Sequence, residues 1–295
     1  MAALPIKKGV YPLVVITGPT ASGKTALAIE VAEKFAGEII CADSRTIYTG
    51  MDIGTAKPTT EERARVPHWG LDLVRPGEYF SAADFKIYAE EKIKEIRSRG
   101  HLPLLVGGTG LYIDSVLFNY QFGPVVDVAR RAELEKMSLE ELYEYCEKNN
   151  IDLPENERNK RYVVRAVELK NVTVKRRNKP IDNCFVVGID TDRDILRTRI
   201  RDRTEQLFGD NVVGEATILG KRYGWNNEAM TGNVYPLVRS YLEDRISLDE
   251  VKDKFTTLDW RLAKRQLTWL RRNPYIRWGS LFDTREYLFR LLANK

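Results

Sequence analysis

Histidine and cysteine are scarce in this chain: its 295 residues include two histidines and three cysteines, Cys41, Cys146 and Cys184. The cysteines lie far apart with no C-x-x-C, which excludes a zinc site built by sequence spacing and a disulfide framework. No apolar run approaches the ~18 residues of a membrane-spanning helix, so no membrane partner is expected. Met1 to Pro12 has neither the apolar core of a secretory signal nor an Arg-rich amphipathic leader, and a reducing cytoplasm is the expected home. An excess of either charge is also missing. Lys+Arg number 47 against 42 Asp+Glu, a balance of only +5, so any nucleic-acid argument must rest on local clusters. Internal repeats and low-complexity tracts are absent.

What is present reads first as alternating strand and helix. Leu13 to Thr17 is a β-branched run of the kind buried on both faces of a parallel sheet. Ala28, Val31, Ala32 and Phe35 then recur at helical spacing, with Gly37 as the expected stop. A second apolar run, Glu38 to Ala42, leads into Asp43-Ser44. Asp84 to Arg99 predicts a charged helix stopped by Gly100, and Leu102 to Val106 a strand running into Gly107-Gly108-Thr109-Gly110. From Phe118 to Pro180 the texture turns helical and charged, with helices expected over Leu134 to Glu147 and Arg161 to Lys170. Strand chemistry returns at Cys184 to Asp190, and Thr191 to Lys295 looks helical. The expected architecture is a P-loop NTPase-like α/β fold: a parallel sheet flanked by helices, closed by the strand near Val186, with a helical C-terminal region. Residues 1–117 and 181–295 form the core, and 118–180 a small helical insertion.

Gly18-Pro19-Thr20-Ala21-Ser22-Gly23-Lys24-Thr25 matches G-x-x-x-x-G-K-[ST] between a strand pattern and a helix pattern. Glycines let the backbone N–H groups curl onto phosphate oxygens, the helix N-terminus adds a positive dipole, Lys24 a point charge, and Thr25 a hydroxyl for Mg²⁺. A phosphate or diphosphate ligand follows; ATP hydrolysis does not. The strand Leu104-Leu105-Val106 ends in Gly-Gly-Thr, without the metal-binding carboxylate of switch and motor NTPases. The acid that follows a strand is Asp43. Ligands of such sheets sit beyond the carboxyl ends of the strands, so Asp43, Thr109 and the phosphate loop should share a crevice. From the residues alone, Asp43 reads as a general base, a metal ligand, or a turn or helix-capping aspartate.

Two basic, aromatic segments complete the inventory. Arg158 to Lys179 carries nine Lys or Arg against Glu168, and Trp260 to Trp278 carries six and no acid. In the second, Ala263, Leu267 and Leu270 make a core-facing spine, leaving Arg261, Arg265, Thr268 and Arg272 on another face. Either cluster could be a solvated helix face; together, beside a phosphate loop, they suit a phosphate backbone with stackable bases.

Taken together the motifs resemble the tRNA dimethylallyltransferase (isopentenyltransferase) family. G-P-T-A-S-G-K-T (Gly18 to Thr25), D-S-R-T-I-Y (Asp43 to Tyr48), M-D-I-G-T-A-K-P (Met51 to Pro58) and G-G-T-G-L-Y (Gly107 to Tyr112) carry it. R-A-V-E (Arg165 to Glu168), L-x-x-R-I-x-x-R (Leu196 to Arg203) and L-A-K-R-Q-L-T-W-L-R (Leu262 to Arg271) extend it along nearly the whole chain, in the family's order. The resemblance implies transfer of a dimethylallyl group from dimethylallyl diphosphate, with Mg²⁺, to the exocyclic amine of the tRNA adenosine beside the anticodon. It puts Thr20, Ser22, Gly23, Lys24 and Thr25 on the diphosphate, with Gly18, Pro19 and Ala21 completing the loop and Thr25 on the metal. Asp43 becomes the general base, with Thr109 beside it. Asp43, Ser44, Arg45, Thr46, Thr109, Arg131 and the segment Arg161, Tyr162, Val163, Val164, Arg165 fall where the family contacts tRNA. Arg199 and Arg203, one helical turn apart, would neutralise the departing diphosphate. A monomer is the expected state.

Three departures from the family stand out. The insertion is short, Tyr162 occupies a place more often basic, and Thr231 to Leu237 replaces the common I-G-Y-[KR]. Competing readings are prenylation of free adenine nucleotide, a P-loop small-molecule kinase, and a non-catalytic RNA-binding protein. If Arg261 and Arg265 lie on an RNA track, tRNA affinity should fall steeply with salt. Replacing both by Gln should then flatten the log–log slope by about 1.5 to 2 in a filter-binding titration. An unchanged slope would take these arginines off the RNA.

Overall fold

The computed structural model describes residues 11–123, 127–172 and 174–293, which leaves Met1–Val10, most of the opening stretch read above, outside the described residues. The chain divides into two compact units: Met1–Leu117 with Lys179–Lys295, and Phe118–Asn178.

In the larger unit, β1 (Leu13–Thr17) feeds the phosphate loop and α1 (Lys24–Lys34), and β2 (Gly37–Cys41) follows directly. A long loop, α2 (Thr60–Arg65), the short β3 (His68–Trp69), α3 (Ala82–Ser98), β4 (Leu102–Gly107) and α4 (Gly110–Leu117) complete the first half. Gly37 does not stop α1. Ala36 takes the left-handed turn at φ 49°, and Gly37 opens β2, where a Cβ would meet Leu104 Cδ1 at 2.8 Å and Ala32 Cα at 3.0 Å. Glycine is needed there for close helix–sheet packing.

All strand pairings are parallel, in the order β3-β2-β4-β1-β5-β6, once β5 (Cys184–Ile189) and β6 (Arg277–Gly279) are added. Val15 thus sits between Leu105 and Val186. Every residue of β1, β2, β4 and β5 is buried, as continuous rather than alternating apolar runs require. The strand near Val186 does not close the sheet. Outside it, Val187, Gly188 and Ile189 pair with Arg277, Trp278 and Gly279. Gly188 lets the ring of Trp278 lie on β5, since a Cβ would come within 2.7 Å of it. Three residues amid arginines carry too little pattern to read as a strand; β5 recruits them because its outer edge would otherwise be unpaired.

The C-terminal region is otherwise helical: α8 (Arg193–Gly209), α9 (Val212–Tyr223), α10 (Tyr235–Leu242), α11 (Leu248–Leu270) and α12 (Leu281–Ala293), numbered after the three helices of the smaller unit. No helix among the described residues is long and apolar enough to cross a membrane.

The smaller unit holds α5 (Val128–Lys136), α6 (Leu139–Lys148) and α7 (Lys160–Leu169). The single helix expected over Leu134 to Glu147 is two. Ser138 starts the second with a capping box: Ser138 Oγ accepts from Glu141 N and Ser138 N donates to Glu141 Oε2. Leu134, Leu142, Cys146, Val163, Val164 and Val167 form a core of its own.

One buried acid braces the sheet. Glu38 of β2, 2% exposed, accepts from Arg99 at 2.8 and 3.0 Å and from Trp69 Nε1 at 2.7 Å, and meets His101 Nδ1 at 2.7 Å. Burial pushes its carboxyl up, but these partners outweigh burial and hold it at about 2, below the usual 4.5. A depressed carboxylate stabilises the fold fully above pH 4.5 and loses that contribution as pH falls towards 2. Glu38→Gln should therefore lower stability by about 1–3 kcal/mol at pH 7. It should also flatten the loss of stability between pH 4.5 and 2, as read by urea melts across that range.

Candidate active site

The phosphate loop holds a conformation that ordinary side chains resist. Gly18 lies at φ 154°, Ala21 at 60° and Gly23 at 90°, where it caps α1 without a side-chain bond. The N-terminal amides of α1 are thereby left to a ligand. Lys24 folds back and donates from Nζ to the Pro19 carbonyl at 3.1 Å. Burial pushes its ammonium down to about 8, with Asp43 pulling it up and Arg203 pushing it further down. Ser22 Oγ is buried and has no hydrogen-bond partner among the described residues.

Beyond the carboxyl ends of β1, β2 and β4 lies a crevice of about 310 Å³, the small end of the range for ligand sites. Thr20, Lys24, Thr25, Asp43, Ser44, Arg45, Thr46, Thr109, Arg203 and Arg265 all line it. The parallel topology puts them together: each follows a strand or belongs to a helix laid across the strand ends. Asp43 leaves β2 in a turn that its own carboxylate holds, Oδ1 accepting from Arg45 N at 2.8 Å, while Thr46 Oγ1 donates to the Asp43 carbonyl at 3.3 Å. Ser44 N donates to Thr109 Oγ1 at 3.0 Å, tying the end of β2 to the end of β4. The chain can pass this closely because Gly107 has no Cβ; one would lie 2.0 Å from the Ala42 carbonyl oxygen.

Several expected residues lie outside the crevice or have partners within the protein. Arg199 is not among the residues lining the crevice; it donates from Nη1 to the Ser22 carbonyl of the phosphate loop at 3.3 Å. Arg45 is engaged within the protein, donating to the Glu228 carbonyl at 3.0 Å and to Thr231 Oγ1 at 3.2 Å. It clamps the 228–231 turn. Arg261 lies with Lys264, Arg265, Thr268, Trp269 and Arg272 along an open groove on α11, the face that sequence spacing predicts. In the smaller unit Tyr162 is 48% exposed and Arg161 is exposed. Arg165 pairs with Glu168 at 2.9 Å, and Arg131 with Glu135 at 3.2 Å. Val163 and Val164, assigned to tRNA by resemblance, are at 0% and 1% exposure, their side chains packed in that unit's core. The apolar stripe of an amphipathic helix has to face inward.

The sequence reading missed a stripe of α11. Phe255, Asp259, Leu262 and Gln266, spaced four, three and four residues apart, form a third face that lines the crevice. Gln266 Oε1 accepts from Thr20 N at 2.8 Å and so sets the phosphate loop against α11. Asp259 accepts from Asn233 Nδ2 at 2.8 Å. The helical spacing is legible in the sequence, but that this face meets the phosphate loop rather than solvent is set by Thr20.

The crevice sets Lys24 and Arg203 beside the carboxylates of Asp43 and Asp259. The IPP transferase family profile matches residues 46–273, and an isopentenyl transferase profile matches residues 11–68. The chain belongs to the IPP transferase family. A relative named tRNA dimethylallyltransferase, from Bacillus cereus, is 40% identical over 91% of this chain and 90% of its own length. The crystal structure of the full-length tRNA isopentenylpyrophosphate transferase of Bacillus halodurans superposes with a TM-score of 0.74 at 34% identity, covering 96% of both chains. A eukaryotic dimethylallyltransferase solved acting on tRNA gives a TM-score of 0.73 at 20% identity, over 92% of this chain and 75% of that one, a likeness of fold.

Gln266→Ala should remove the acceptor for Thr20 N and loosen the loop. Titration with inorganic diphosphate should read a loss of about 1 kcal/mol, roughly fivefold in Kd, with the melting temperature little changed. Unchanged affinity would make Gln266 a packing residue only.

Proposed function

We infer that this chain transfers a dimethylallyl group from dimethylallyl diphosphate to the exocyclic N6 amine of the adenosine 3′-adjacent to the anticodon of tRNA, position 37. The products are N6-(dimethylallyl)adenosine and diphosphate. The observation that carries the reading is the convergence of Lys24 and Arg203 with Asp43 in one crevice beside the phosphate loop. In the transfer, the bond between the allylic carbon and the diphosphate oxygen breaks, its electron pair leaves with diphosphate, and the N6–carbon bond forms. The amine's proton passes to Asp43. Loop amides, Lys24 and Arg203 stabilise the charge that develops on the leaving group, while Asp43 relieves a poor nucleophile of a proton.

Mg²⁺ fits the residues in one way. Among the described residues no group of three or more His, Cys, Asp or Glu could hold a metal. The Thr25 hydroxyl would take part, with diphosphate oxygens and water as the other ligands, a set that suits a hard cation reluctant to dehydrate. Bound there, the ion supplies further neutralisation of the diphosphate.

The tRNA side of the reading rests on surface chemistry. Arg261 and Arg265, with Lys264, Arg272 and Trp269, offer a cationic groove with an aromatic face. Arg131, Arg161, Tyr162 and Arg165 of the insertion are assigned to tRNA as well, with Arg161 and Tyr162 both exposed. The adenine must leave its stack to reach Asp43, which costs a few kcal/mol, offset by pocket contacts. A cytoplasmic monomer is part of the same reading.

Mass analysis of the anticodon-loop adenosine after incubation with tRNA and dimethylallyl diphosphate tests it; no mass gain at that base would overturn it. Asp43→Asn should lower the single-turnover rate by about 10²- to 10⁴-fold with donor affinity nearly unchanged. Collapse of donor affinity would instead make Asp43 a metal ligand. A fall in melting temperature with the rate intact would make it only a turn residue.

A further inference from the structure

Arg203 reaches the crevice from α8, and its charge is felt at Lys24. Yet its Nε is buried and has no hydrogen-bond partner among the described residues. Asp259 of α11 stands nearby, its Oδ2 3.8 Å from that Nε, an ion-pair distance too long for a hydrogen bond. Asp259 is 3% exposed, and Asn233 Nδ2 donates to its other oxygen at 2.8 Å. Burial pushes this carboxyl up, Arg203 and Asn233 pull it down, and Asp43 pushes it up again.

A buried acid lining a crevice for a diphosphate is costly on its face, because it repels the ligand and is itself desolvated. Its presence makes sense through Arg203. A guanidinium carries five donors in a planar fork on a long stem worth ~2 kcal/mol of rotamer entropy. An acid at the Nε edge removes that freedom and leaves the two terminal amino groups for another partner. Asn233, just before α10, in turn holds the acid.

We propose that Asp259, fixed by Asn233, is a positioning residue that holds Arg203 by its Nε edge so that its terminal amino groups meet the departing diphosphate. The proposal rests on the reading of Arg203 as a stabiliser of that leaving group. Asp259 touches no reacting atom; it acts through the arginine.

The test is a double-mutant cycle on the full chain. Single-turnover prenyl transfer to tRNA, donor affinity by titration and a melting curve are measured for the unmodified chain, Asp259→Asn, Arg203→Gln and the double variant. Each single change should slow transfer by about tenfold or more, the size expected when a stabilising group is lost or misplaced by a fraction of an ångström, with donor affinity altered less than about threefold. The double variant should be no slower than Arg203→Gln alone. Asn233→Ala keeps the carboxylate's charge and should give a smaller loss of the same kind, which vanishes when Arg203 is already Gln; it serves if Asp259→Asn does not fold. Losses that multiply in the double variant, or a melting temperature and donor affinity that fall together with the rate, would overturn the role of Asp259 while leaving Arg203 in the reaction. A normal rate for Arg203→Gln would overturn both that reading of Arg203 and this proposal. No transfer by the unmodified chain would be the failure of the function itself.

Discussion

Two cations, Lys24 and Arg203, converge on one crevice that is partly closed to water. Burial disfavours the Lys24 ammonium, Asp43 offsets part of that penalty, and Arg203 adds to it. Such a pair is held only by a rigid surround. The phosphate loop fixes Lys24 through Gly18, Ala21 and Gly23, whose positive φ values bring Nζ back onto the Pro19 carbonyl. Helix α8 carries Arg203 and, one turn earlier on the same face, Arg199, which bonds the loop. Helix α11 answers with Gln266 on Thr20 and Asp259 towards Arg203. Helices α8 and α11 thus hold this charge arrangement together.

The sheet supplies the other half of the constraint. Strand order places β1 between β4 and β5, and β4 between β1 and β2. The phosphate loop, Thr109 and Asp43 therefore emerge from three neighbouring strands, each roughly 5 Å from the next. Gly107 makes the approach of the last two possible, and the Ser44–Thr109 bond holds it. The acid and the anion site are thereby kept apart by about two strand spacings, close enough for one small donor and one base to meet between them.

Motifs bound to local backbone were legible in the sequence. The phosphate loop, the strand before it and the helix after it were, because glycine spacing and apolar runs act over a few residues. The cationic face of α11 was, since a helix projects every third or fourth residue to one side. Gln266 and Asp259 were not, although they sit in that same helix. Their spacing is as regular as that of Arg261 and Arg265, but what turns them towards the crevice is Thr20, 246 residues from Gln266, and Arg203 and Asn233 beside Asp259. Val163 and Val164 failed for the opposite reason: a motif assigned by resemblance names a segment, while burial is decided residue by residue.

By itself, the sequence determined the alternation of strand and helix, the phosphate loop and the acid after β2, all properties written in short stretches of chain. Only the tertiary structure decided that β6 pairs outside β5, that the predicted insertion helix breaks at Ser138, that Arg199 serves the loop's carbonyl, and that Arg45 clamps the 228–231 turn. The physical reason is common to nearly all of them. An unpaired strand edge, an orphan carbonyl or a guanidinium in need of acceptors takes the partner that folding brings within 3 Å or so, and sequence distance says nothing about which partner that is. Ser138 is the exception: its capping partner lies three residues away, and that signal was in the sequence to be read.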